Sequence, residues 1–138
     1  MKKIVFGLGV FAVTACGSLA PTAKIGGPQN SLSNTKWEVV DSYNTNARPY
    51  ISFDPEQGMT GNGGCNRIFS NNVVISSKDG SFHVNAIAST RMACPSMDMS
   101  TESNFIKMIE SADHYVTRKD MLELYKGNML LMKLRKAQ

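Results

Sequence analysis

Residues 121–134 read Met-Leu-Glu-Leu-Tyr-Lys-Gly-Asn-Met-Leu-Leu-Met-Lys-Leu. Met121 to Tyr125 and Met129 to Leu134 are strand-like apolar runs, and Lys126-Gly127-Asn128 between them is a turn. This is the strongest hairpin in the chain and points to an antiparallel sheet. Tyr115-Val116, just upstream, adds strand material. Further back, Val73-Val74-Ile75-Ser76 is β-branched. Lys78-Asp79-Gly80-Ser81 reads as a hairpin turn, and Phe82, Val84, Ala86 and Ile87 continue the sheet. Pro49 to Phe53 places Ile51 and Phe53 on one face. Asp54-Pro55-Glu56-Gln57-Gly58 then turns the chain, and Met59 to Gly61 starts the return strand. Trp37 to Val40 is the first strand, with the indole in the core.

One stretch repeats at helical spacing. Phe105, Ile106, Met108 and Ile109 form an apolar stripe that predicts a helix from about Met99 to Ser111. Asp98, Ser100 or Thr101 can cap it, and Glu102 in its first turn suits the helix dipole. Strands, one helix, then strands define an α+β fold. The expectation is a mostly antiparallel twisted sheet or open barrel, with the helix covering one face or plugging the barrel.

The N-terminus carries a different signal. Lys2 and Lys3 precede an apolar stretch from Ile4 to Val13, too short for a permanent membrane span. Val13-Thr14-Ala15-Cys16 follows, with the lipobox pattern of bacterial lipoproteins: branched apolar, small, small, Cys. Residues 1–15 are therefore expected to be a signal peptide, and Cys16 the lipidated residue bearing fatty acyl chains such as palmitate. Residues 16–31, rich in Gly, Ser, Pro and Asn, are expected to be a flexible tether. Residues 32–138 form the single domain. With Gly17 rather than Asp after the cysteine, the expected location is the outer membrane, with the domain facing the periplasm. The chain has 15 basic and 11 acidic residues; losing Lys2 and Lys3 leaves 13 against 11, a net charge of +2. No aromatic-basic array accompanies it, so nucleic acid is not an expected partner.

With Cys16 acylated, Cys65 and Cys94 remain. Two cysteines in an oxidising compartment suggest a disulfide; two free buried thiols or a metal pair are the alternatives. A bridge over 29 residues contributes about 3.5 kcal/mol in the chain-entropy model. His83 falls in an alternating strand opposite Phe82 and Val84 and is expected to face solvent. Neither it nor His114 lies in a catalytic or zinc motif. Met92, Met97 and Met99 form the one soft-ligand group suited to Cu(I). Adaptable core filling is the simpler account of the nine methionines.

Gly61-Asn62-Gly63-Gly64-Cys65-Asn66, followed by Phe69, resembles the glycine-rich signature of the META domain, the family of the HslJ heat-shock lipoproteins. Thr90-Arg91-Met92-Ala93-Cys94 resembles its second signature. Trp37, the Ile-Ser-Phe-Asp strand, Glu102, Phe105 and Leu122-Leu124 fall in matching order, over about residues 32–134. Many relatives place a glycine and an aromatic soon after the Cys-Asn pair, where this chain has Ser70, Asn71 and Asn72. The resemblance implies an antiparallel β structure with a helix, an envelope location and a link to stress response, drug tolerance or motility. It implies no reaction. Physically, Gly61, Gly63 and Gly64 permit a tight crossover beside Cys65, held by Asn66; an anion nest of backbone N–H groups is the functional alternative. Arg91 is expected to pair with a carboxylate, Asp54 being one candidate, or to cover the sheet edge.

The expected function is a non-enzymatic envelope lipoprotein without a cofactor or resident metal, engaging an envelope protein partner through the sheet face or an unpaired edge. A small-ligand or inhibitor-type module with a pocket between helix and sheet is the alternative.

Overall fold

A computed structural model describes residues 23–41, 47–95 and 99–138. The proposed signal peptide, Cys16, Met97 and Asp98 lie outside the described residues. The strands are β1 (Thr35–Val39), β2 (Tyr50–Asp54), β3 (Gly58–Asn62), β4 (Arg67–Ser70), β5 (Asn72–Ser76), β6 (Ser81–Asn85), β7 (Ala88–Ser89), β8 (His114–Arg118), β9 (Met121–Lys126) and β10 (Met129–Lys136). One helix, α1 (Met99–Ser111), joins β7 to β8. All pairings are antiparallel, in the order β5-β6-β8-β9-β10-β1-β2-β3-β4-β7. Among the described residues the fold is the expected mostly antiparallel sheet with a single helix, curled into a half-barrel.

The curl follows from the connections. β4 and β5 stand near opposite ends of the strand order, yet only Asn71 separates them. The two ends of the sheet must therefore meet. β4–β5 and β7–β6 together form one bent two-stranded ribbon: Ile68 faces Ser89 and Phe69 faces Ala88 below the bend, while Asn72 faces Asn85 and Val73 faces Val84 above it. At the bend Ala86 adopts φ 52°, a left-handed conformation that interrupts the pairing expected to run on through Ala86 and Ile87. On the opposing strand, Ser70 Oγ donates to Asn85 O at 2.5 Å.

Inward-pointing residues alternate along each strand and fill the interior: Trp37, Val39, Ile51, Phe53, Met59, Ile68, Phe82, Val84, Leu122, Leu124, Met132 and Leu134. Phe53, Phe82 and Tyr115 meet edge to face, with centroids 6.0 and 6.4 Å apart. Each such pair adds about 0.5–1.5 kcal/mol beyond its area burial. The apolar run at the start of β10 does not alternate, and the register shifts between Leu130 and Met132. The bulge lets Met132 and Leu134 point inward while Met129 and Leu130 remain exposed. Met59 and Met132 do fill the core, but Met92, Met99 and Met129 are exposed, so core filling accounts for only part of the methionine content.

α1 has the expected bounds and buries Phe105 and Ile109 completely. These residues pack the centre of the helix–sheet interface, while grooves of about 400 and 410 Å³ flank the helix, one beside Thr90–Ala93 and one beside Leu131 of β10. The tether also ends earlier than expected. Gln29 N donates to Ser77 O at 2.8 Å, Thr117 N donates to Gln29 Oε1 at 2.8 Å, and Tyr115 Oη donates to Asn30 O at 2.9 Å. Residues 27–30 are a strap fixed to β8 and to the β5–β6 turn, and Leu32 is buried behind it.

Candidate functional site

The two signature segments converge on Asn66. Its backbone N donates to Glu102 Oε2 at 2.7 Å, and its side-chain Nδ2 donates to Glu102 Oε1 at 2.8 Å and to Met92 O at 3.3 Å. Its Oδ1 accepts from Thr90 Oγ1 at 2.9 Å and from Met92 N at 2.7 Å. Cys65 N also points at Glu102 Oε2, at 3.4 Å. Asn66 and Glu102 are both buried. One amide side chain therefore ties the glycine-rich loop, the Thr90–Met92 segment and the first turn of α1 together.

Glu102 was expected to serve only the helix dipole. Its carboxylate instead reaches residues 36 and 37 positions earlier in the chain. The glycine-rich loop does present backbone N–H groups to an anion, as a nest would. The anion is the chain's own Glu102, so the loop is a structural crossover. A Cβ on Gly63 would lie 2.5 Å from Glu102 Cγ and one on Gly61 2.2 Å from Tyr50 O, which is why both positions lack a side chain. Gly64 adopts φ 112°, and its N donates to Asn62 Oδ1 at 2.7 Å.

Cys65 and Cys94 form a disulfide with a Cα–Cα separation of 6.1 Å, which excludes the free-thiol and metal-pair alternatives for these two residues. The bridge staples the segment after Thr90 onto the loop at the point where Asn66 holds Met92. Arg91 is exposed and does not meet Asp54. The Asp54 carboxylate instead caps its own turn, accepting from Glu56 N at 2.8 Å and Gln57 N at 3.0 Å. His83 faces solvent as expected. His114 Nδ1 lies 2.8 Å from Asp113 Oδ1, and this contact, with the Gly127 N–H, holds the Asp113 carboxyl below its usual range.

Two clefts bear on binding. A groove of about 400 Å³ runs between Thr90–Ala93 and the start of α1, and Met92 and Met99 line it together. They are 58% and 41% exposed, but Arg91 and the positive end of the helix share the groove, and both repel a cation. Among the described residues no cluster of His, Cys, Asp and Glu can hold a metal. The second cleft, of about 300 Å³, opens between the β2–β3 turn, residues 31–33 and β5. Leu32, Phe53, Val73, Ile75 and Tyr115 give it apolar walls, while Asp54 and Glu56 stand on its rim. Sequence reading missed this cleft, because its walls come from four separated segments.

A curled antiparallel sheet, closed by a bent ribbon and carrying a helix fixed through a buried Asn–Glu pin, defines a small, mostly antiparallel half-barrel domain. The META domain family matches residues 30–138, and the chain belongs to that family. Three solved structures share the fold. An NMR structure of a protein from Burkholderia xenovorans is 18% identical, with a TM-score of 0.62, covering 100% of this chain and 99% of that one. A second NMR structure is 19% identical, with a TM-score of 0.57, covering 75% and 90%. A crystal structure of a DUF4847 family protein from Bacteroides vulgatus is 16% identical, with a TM-score of 0.52, covering 77% and 93%. No curated protein matches the chain.

Proposed function

We propose that this META-domain protein is an outer-membrane lipoprotein, held by acyl chains on Cys16, whose domain acts in the periplasm as a non-enzymatic interaction module in envelope maintenance under stress. The observation that carries the reading is the lipobox Val13-Thr14-Ala15-Cys16, preceded by Lys2, Lys3 and an apolar stretch. The Cys65–Cys94 bridge supports an oxidising compartment. It also removes both domain thiols as nucleophiles. Among the described residues the sheet ends in two edge strands, β5 and β7, each paired on one side only, which supports partner contact by strand addition.

The test has two parts. Mass spectrometry of the mature protein is expected to show a fatty-acylated Cys16 as the first residue, and Cys16→Ser is expected to abolish outer-membrane fractionation. Cross-linking in intact cells is expected to capture envelope proteins; an unacylated mature chain with no envelope partner refutes the reading. A second reading, a carrier of a small ligand, is favoured by the cleft beside β5. A melting-temperature rise with a lipid or hydrophobic antibiotic, lost on filling that cleft, selects it. Cu(I) binding by Met92, Met97 and Met99 is the weakest alternative, and Cu(I) chelator competition tests it.

A further inference from the structure

The bent ribbon leaves the half-barrel with a seam at each end, and the two seams differ. Beyond the bend, β7 has no strand on its outer side, but α1 is bonded to the segment that leads into it. Ile87 N donates to Glu110 Oε1 at 3.2 Å, and the Glu102–Asn66 pin fixes the helix start. Beyond the bend on the other strand, β5 pairs with β6 alone, and no helix among the described residues covers it. The cleft of about 300 Å³ lies against this bare strand.

The backbone polarity of β5 can be read from its neighbour. Phe82 N donates to Asp113 O and Tyr115 N donates to Gly80 O, so Gly80 and Phe82 turn their backbone groups toward β8. By alternation Ser81, His83 and Asn85 turn theirs toward β5, where they face Ser76, Val74 and Asn72. The N–H and C=O of Val73 and Ile75 then point away from β6, along the open edge. Just past the end of β5, the carbonyl of Ser77 accepts Gln29 N at 2.8 Å, so the strap is bonded beside the far end of this edge. Val73 and Ile75 are only partly buried, and both line the cleft. The cleft's charge is one-sided: Asp54 and Glu56 line it and no Lys or Arg does, on a chain with a net charge of +4.

We propose that the β5 edge is a strand-accepting site for an extended segment of another protein, one with apolar side chains at alternate positions and a flanking Lys or Arg. The segment's backbone pairs with Val73 and Ile75, its apolar side chains enter the cleft against Leu32, Phe53 and Tyr115, and its cation meets Glu56 and Asp54. This rests on the interaction-module reading and names the site at which it operates.

The test uses the full chain in detergent micelles and the probe peptide acetyl-Lys-Val-Thr-Val-Thr-Lys-amide. Amide exchange of Val73 and Ile75 is expected to slow at least tenfold on peptide addition, with β7 unchanged. A peptide with Glu in place of both Lys is expected to bind at least tenfold more weakly. Glu56→Lys, at an exposed turn position that leaves the core intact, is expected to reverse that preference. Ile75→Pro is expected to abolish binding, because proline removes an outward N–H without breaking the β5–β6 ladder. Protection at β7 instead, equal binding of the Glu peptide, or a β5 edge already protected in a light-scattering dimer each overturns the proposal. In the last case the occupant is a second copy. Envelope partners captured equally well by wild type and Ile75→Pro overturn this site while leaving the interaction-module reading standing; capture of none overturns that reading itself.

Discussion

Asn66→Asp is the sharpest probe of the pin. The substitution preserves shape and the acceptor that receives Thr90 Oγ1 and Met92 N, but replaces Nδ2 with an oxygen 2.8 Å from Glu102 Oε1. Two carboxylates at that distance repel by about 6 kcal/mol at an effective dielectric of ~20. Protonating one carboxyl of ordinary pKa ~4 at pH 7 costs about 4 kcal/mol. The smaller figure wins, so the folded variant takes up one proton and uses it to donate to the facing carboxylate. The unfolded variant carries no such proton at pH 7, so its stability rises as pH falls. The expected destabilisation is about 4 kcal/mol at pH 7, shrinking by about 3 kcal/mol at pH 4.5. Urea unfolding of wild type and variant at both pH values, under oxidising conditions, reads the difference; titrations common to both chains cancel. A penalty of equal size at both pH values means that no carboxylate faces position 66, and refutes the pin.

Gly63→Ala drives a methyl into Glu102 Cγ at 2.5 Å and is expected to cost about 1–3 kcal/mol in the same assay. Combined with Glu102→Ala it is expected to cost less than the sum of the two, because the carboxylate it strikes is gone. Reducing the Cys65–Cys94 bridge is expected to lower stability by about 3.5 kcal/mol, read by unfolding with and without reductant. Burial, with Asp79 adding to it, pushes the Tyr115 phenol up to about 12. The unfolded phenol ionises near ~10, so this contribution is intact below pH 10 and is lost as pH rises toward 12. Tyr115→Phe is expected to remove that part of the alkaline slope and one late step in the 295 nm titration.

Elements whose signals are local are legible in the sequence. The 121–134 hairpin, the 54–58 turn and the bounds of α1 follow from turn chemistry and apolar period alone. β4 is not, because Arg67–Ser70 spans four residues between Asn66 and Asn71 and puts a serine on the inward face. The strap at Gln29 and Asn30 was hidden by its Gly- and Pro-rich setting, since its order comes from bonds to Thr117 and Tyr115, over 80 residues away. The signature glycines were visible, but not their reason. An acid in a helix's first turn already has a local explanation, and nothing nearby in the chain points Glu102 at Asn66.

The bent ribbon has a mechanical consequence. Residues 67–76 and 81–89 together link both walls of the half-barrel, bonding to each other, to β3 through β4 and to β8 through β6. Neither wall can peel away without straining the other, so heat or denaturant should release the strands in a single cooperative transition, with no surviving half-structure for a protease to trim to.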